Sequence, residues 1–103
     1  MTRGWYLRSS TVKKPAVVAF SGELDIYGVE RVRAALDAID GPAIVDFTDV
    51  RFVDSSTLTE LVRLRKRVGD CVTLVVPTPH IRRALDIVGF EALFRIVHNR
   101  ADA

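Results

Sequence analysis

The chain has 103 residues, about half apolar and about a quarter charged, with a formal net charge of +2. That length predicts one domain with a single modest core, the composition argues against disorder, and so weak a positive balance does not by itself point to nucleic acid. One cysteine, Cys71, rules out an internal disulfide and suits a reducing cytoplasm, where a lone cysteine serves as a small apolar core residue.

The first eight residues contain no apolar core of signal-peptide length. No apolar run approaches the roughly 20 residues that span a bilayer. The expectation is a cytoplasmic protein without membrane insertion.

Leu7 to Val12 is a weak strand candidate, followed by a turn at Lys13-Lys14-Pro15 and a clearer strand at Ala16 to Phe20, so the two form a possible hairpin. Val29, Val32, Leu36 and Ile39 share one stripe of an expected helix, which Gly41-Pro42 ends. Ala43 to Phe47 and Cys71 to Val76 are near-continuous apolar runs, the pattern of strands covered on both faces.

A middle helix is expected from about Ser55 to Val68. Leu58, Leu61, Val62, Leu64 and Val68 form its inner side and Glu60, Arg63, Lys66 and Arg67 its outer side. Arg65 falls within the apolar arc, where a snorkelling side chain is one solution. A third helix has Thr78 as N-cap, Pro79 at its first position and Gly89 beyond its end, with Ile81, Leu85 and Val88 facing inward. Arg95 to His98 reads as a last edge strand.

The order β-β-α-β-α-β-α-β predicts an α/β fold: one domain over residues 1–103, a mostly parallel sheet and helices packed against it. In such folds ligands and partners meet the edge formed by the carboxyl ends of the strands. Here that edge collects Gly22 to Tyr27, Asp49 to Ser56 and Pro77 to His80.

Asp54-Ser55-Ser56-Thr57 opens the middle helix on that edge. Asp, Ser and Thr cap helix starts, and Thr57 with Glu60 fits a capping box. A helix start also favours negative charge, so a hydroxyl there can carry a phosphate without loss of the helix. Asp25, at the end of the second strand, either caps a turn or adds to the same surface.

Gly22-Glu23-Leu24-Asp25, an intervening helix, Val45 to Val50 and then Phe52-Val53-Asp54-Ser55-Ser56 resemble the STAS domain, and more closely the bacterial anti-anti-sigma factors. The similarity runs from about Leu7 to Val97. The resemblance implies that Ser55 is a phosphoacceptor, with Ser56 and Thr57 as rival hydroxyls. It implies a docking surface of Asp25, Asp54, Ser55, Ser56 and Thr57. The implied partner is an anti-sigma factor with serine kinase activity, which the unmodified protein binds to free a sigma factor; a separate phosphatase reverses the modification. No cofactor or metal of the chain's own is implied. Thr57 departs from the family, which usually has glycine there and often a small residue in place of Thr59.

Two other readings remain. One keeps the fold as a scaffold or lipid-transport accessory subunit without a switch. The other is a hydrolase using Ser55, His80 and Asp25, against which stands the absence of a Gly-x-Ser-x-Gly elbow. Asp46, Asp49 and Asp54 lack a diagnostic metal spacing, and His80 and His98 lack a second ligand. The basic residues Arg63, Arg65, Lys66 and Arg67, without interleaved aromatics, read as a solvated helix face.

Overall fold

The computed structural model describes residues 14–103. The strand expected over Leu7 to Val12, and with it the hairpin, lies outside the described residues. Four parallel strands, β1 (Ala16–Leu24), β2 (Ala43–Val53), β3 (Val72–Val75) and β4 (Arg95–Val97), line up in chain order. Helices α1 (Val29–Asp37), α2 (Ser55–Val68) and α3 (Pro79–Ile87) connect them, with short 3₁₀ turns at Ile26–Gly28, Phe90–Ala92 and Arg100–Asp102.

Strand alternation builds the core. Val45, Phe47, Val72 and Leu74 meet Leu36 of α1, Leu61 and Leu64 of α2, and Ile81 and Leu85 of α3 in one continuous cluster. Phe20 stands edge-on to Phe47, with ring centroids 6.1 Å apart. Both β1 and β2 run further than their apolar stretches suggest. Beyond Phe47 the residues Thr48, Asp49, Arg51 and Phe52 are exposed while Val50 is buried. Register shifts between Ala19 and Ser21 and between Gly22 and Glu23 keep the two strands paired as far as Leu24 and Val53. Asp46 makes the first irregularity possible, because its carboxylate accepts hydrogen bonds from the Thr48 amide (2.8 Å) and hydroxyl. What reads in sequence as a long loop over Asp49 to Ser56 is therefore strand up to Val53 and helix from Ser55.

Three helix readings change. Helix α1 stops at Asp37, ahead of Gly41-Pro42, although Ile39 is still buried. Val88 is 51 % exposed instead of facing inward, since α3 ends at Ile87 and Gly89 turns the chain away at φ +81°, a conformation that favours glycine. Thr78 precedes Pro79 as expected, but its side chain makes no capping hydrogen bond.

The outer side of α2 is less solvated than its charge pattern implies. Glu60 is 5 % exposed and held by Arg33 of α1 and Arg63, both at 3.1 Å. Arg67 crosses to α1 and donates to the Ile39 carbonyl (2.6 Å) and the Leu36 carbonyl (2.8 Å). Arg65 donates to the Leu93 carbonyl at 2.9 Å, which accounts for an arginine in the apolar arc. Three of the four basic residues read as a solvated face thus tie α2 to its neighbours or to its own Glu60. Cys71 is partly exposed and lies just before β3; its thiol contacts the Val68 carbonyl at 3.3 Å.

Candidate functional site

The carboxyl ends of β1 and β2 lie side by side, with Leu24 paired to Val53. The next residue in each strand is an aspartate for the same physical reason: each must receive the free amides of a turn or helix that starts there. Asp25 has extended backbone, and its Oδ1 accepts from the Tyr27 amide at 3.0 Å. Asp54 is also extended and caps α2, its Oδ1 accepting from the Ser56 amide (3.0 Å), the Thr57 amide (3.4 Å) and the Ser56 hydroxyl. Its Oδ2 reaches across to accept from the Ile26 amide at 3.0 Å. In return, the Asp54 amide donates to the Leu24 carbonyl at 3.1 Å. The two aspartate loops are therefore joined by direct bonds, and one carboxylate spans both.

These bonds favour the ionised form of Asp54. Its pKa lies below the ordinary value, first because of the Ser56 hydroxyl, against the opposing effect of burial, and then because of the Thr57, Ser56 and Ile26 amides. Asp54 is anionic at neutral pH and leaves little of the helix-end positive potential unmatched.

The three hydroxyls that follow have different environments. Ser55 occupies the first helical position and is exposed; no hydrogen bond engages its hydroxyl among the described residues. Ser56 is half-buried and committed to Asp54. Thr57 is 0 % exposed, and its hydroxyl donates to the Leu24 carbonyl at 3.0 Å. The expectation that Thr57 offers a rival hydroxyl or a contact for a partner is corrected by this burial: the side chain points into the junction of β1 and α2. The capping box does not form either, because Asp54 takes the capping role and Glu60 turns to Arg33. Thr59 is exposed and bonds back to the Ser55 carbonyl at 2.9 Å.

His80 lies at the start of α3, as expected, but its Nε2 donates to the Arg51 carbonyl at 2.9 Å. Among the described residues it makes no hydrogen bond with Ser55 or Asp25, the other two members of the expected triad. Asp46 is not near-diagnostic of a metal: it is paired with Arg100 at 2.9 Å. No cluster of three or more His, Cys, Asp or Glu suited to a metal ion occurs among the described residues, and no helix there is long and apolar enough to cross a membrane.

The sequence places Gly22 to Tyr27 on this edge but does not single out the two side chains after Asp25. Ile26 is 57 % and Tyr27 92 % exposed, immediately beside the Asp54 carboxylate. Two apolar residues directly after the Asp25 turn were the available signal.

Comparison with known proteins fits this geometry. The chain resembles, with a TM-score of 0.64 and 22 % identity, the anti-sigma factor antagonist SpoIIAA in its unphosphorylated form, over 89 % of this chain and 87 % of that one. The phosphorylated form of SpoIIAA, a Bacillus cell fate determinant, matches with the same TM-score at 20 % identity, over 89 % of each chain. A sulfate transporter family protein from Wolinella succinogenes matches with a TM-score of 0.71 and 20 % identity, over 92 % of this chain and 87 % of that one. At these identities the likeness is one of fold. No curated protein sequence matches the chain. The family model described as "Mlab, STAS domain" matches residues 7–97, and with nearly the whole chain covered, on a fold that the solved structures share, the chain belongs to the STAS domain family.

Proposed function

We propose that this protein is a phosphorylation-switched antagonist of an anti-sigma factor, a binding module without chemistry of its own. Unmodified, it docks on an anti-sigma factor with serine kinase activity through the edge carrying Asp25, Asp54, Ser55 and Ser56, and so releases a sigma factor. The kinase then phosphorylates Ser55 and ends the interaction; a phosphatase restores it. One observation carries this reading: of the three consecutive hydroxyls at the start of α2, Ser55 alone is exposed, next to a carboxylate that already caps the helix. A phosphate there sits at the favourable end of the helix dipole, where Asp54 already takes much of the benefit, so it gains at most a few tenths of a kcal/mol, against repulsion from Asp54 that solvent partly screens. The fold is kept, and docking is lost through bulk and charge at the contact.

The test is to incubate the purified protein with the cognate kinase and ATP and to map the phosphate by peptide mass spectrometry. Phosphate is expected on Ser55 and absent from a Ser55→Ala variant, with thermal melts of the two forms nearly superimposed. Ser55→Asp is expected to weaken the complex. Phosphate confined to Ser56 would overturn the assignment.

A second reading is a STAS-fold scaffold or lipid-transport accessory subunit without a switch. It is supported by the occurrence of the same fold in a sulfate transporter family protein. It predicts a stable complex that Ser55→Asp does not release.

A further inference from the structure

The 3₁₀ turn at Ile26–Gly28 is anchored on both sides, since Leu24 before it and Val29 after it are buried. Each of its amides is satisfied: Ile26 by the Asp54 carboxylate at 3.0 Å, Tyr27 by the Asp25 carboxylate at 3.0 Å and Gly28 by the Asp25 carbonyl at 3.0 Å. A turn so tied has little conformational freedom left to lose. Yet the two side chains it presents, Ile26 and Tyr27, face water. A single exposed apolar side chain is ordinary on any protein. A rigid turn presenting an isoleucine and a tyrosine together is the arrangement of a binding anchor, because tyrosine supplies a large contact area and the backbone's share of the ordering entropy has already been removed.

Resting on the switch proposed above, we infer that Tyr27, with Ile26 beside it, is the hydrophobic anchor of partner docking, and that Asp54 is a positioning residue that fixes this anchor relative to Ser55. The occupant is a protein surface with an apolar socket bordered by lysine or arginine. Charge points to it: Glu23, Asp25 and Glu30, with Asp54 across the loop junction, outnumber Arg31 and the exposed Arg51 of the paired strand around this turn. This acidic collar repels an anionic lipid surface and disfavours a second copy presenting the same collar.

The arrangement also gives the switch a physical form. A phosphate on Ser55 keeps its hydration shell while the edge is open to water. A socket shaped to close over Tyr27 beside an unmodified Ser55 has no room for the phosphate and its water, and burying the dianion costs its hydration.

The test uses the full chain and the kinase identified by its ability to phosphorylate Ser55 with ATP. Tyr27→Ala is expected to weaken the kinase complex roughly 30-fold or more, with an unchanged thermal melt because the side chain is exposed. Tyr27→Phe is expected to retain most of the affinity. A photoreactive phenylalanine analogue at position 27 is expected to crosslink to the kinase within an apolar pocket flanked by basic residues. If the kinase modifies Ser55 and Ser55→Asp weakens the complex while Tyr27→Ala binds as wild type, the anchor is overturned and the switch stands. If no kinase modifies Ser55, the switch fails and the anchor falls with it. Self-association in sedimentation equilibrium, or flotation with anionic phospholipid vesicles, that Tyr27→Ala abolishes would overturn the assignment in favour of a second copy or a membrane.

Discussion

Thr57 stands where the resemblance to anti-anti-sigma factors implies glycine, and its burial makes the side chain a structural link. Its hydroxyl donates to the Leu24 carbonyl, fastening the start of α2 to the end of β1. Restoring glycine removes that bond, worth about 1 kcal/mol, and the small advantage of threonine over glycine in a helix, about 0.4 kcal/mol, and it exposes the space left by a buried methyl group, roughly 0.8 kcal/mol more. Thr57→Gly is therefore expected to lower unfolding stability by about 2–3 kcal/mol in a urea titration. An unchanged midpoint would mean that the junction does not depend on this side chain. The Leu24 carbonyl keeps its bond from the Asp54 amide, so the loss is graded instead of an outright orphaning. In sequence, Asp54 and Ser55 were legible because an Asp-Ser pair before an apolar helical stripe has a single structural use at a helix start. The different fates of Ser55, Ser56 and Thr57 were not, since which hydroxyl turns inward depends on how α2 leans on β1, and no local pattern encodes that angle.

At the scale of elements, α2 is tied to α1 by polar links as well as by packing. Arg67 donates to the Leu36 carbonyl in the last turn of α1 and to the Ile39 carbonyl just beyond it, where intrahelical partners run out. Hydrogen bonds from a charged donor are worth roughly 1.5–3 kcal/mol. Arg67→Met, which keeps the aliphatic stem, is expected to cost about 1–2 kcal/mol after water partly replaces the guanidinium at this half-open site, and amide exchange should quicken at the end of α1. Lys66→Met, on the exposed side of the same turn, is expected to change stability by less than about 0.5 kcal/mol. Equal losses from both would assign the effect to charge alone. The existence, type and order of the elements among the described residues were readable because β2, β3 and α2 carry strong periodicity. The upper half of β2 was not, because there the strand is covered on one face and its register slips past β1, so alternation breaks at Thr48 and Asp49. Glu60 was placed on the outer side by its angle on the helix; Arg33, 27 residues away, draws it inward.

Across the whole molecule, three carboxylates at junctions between elements lie below their ordinary pKa. Glu60 is lowered first by its hydrogen bond from Arg33, against burial, and then by the charges of Arg33 and Arg63. Asp54 is lowered first by Ser56. For Asp46 burial pushes upward, but the Thr48 hydroxyl and amide and then Arg100 outweigh it. A depressed native pKa means that the unfolded chain binds more protons as pH falls through its own carboxylate values near 4, so stability is fully present above that range and is lost below it. Thermal melts are expected to hold a plateau from about pH 5 to 7 and to fall steeply below about pH 4, with a shallower fall in Glu60→Gln; an identical acid limb in that variant would remove Glu60 from the account. The strand order β1-β2-β3-β4 has a further consequence, for biosynthesis. Among the described residues each strand after the first pairs with the one made just before it, so this part of the sheet can grow on the ribosome in the order of translation. The exception is a side chain: Asp46 emerges 54 residues before Arg100. A nascent chain lacking Arg100 presents that carboxylate without its cation, which makes closure of the Asp46–Arg100 pair one of the last events in the maturation of the fold.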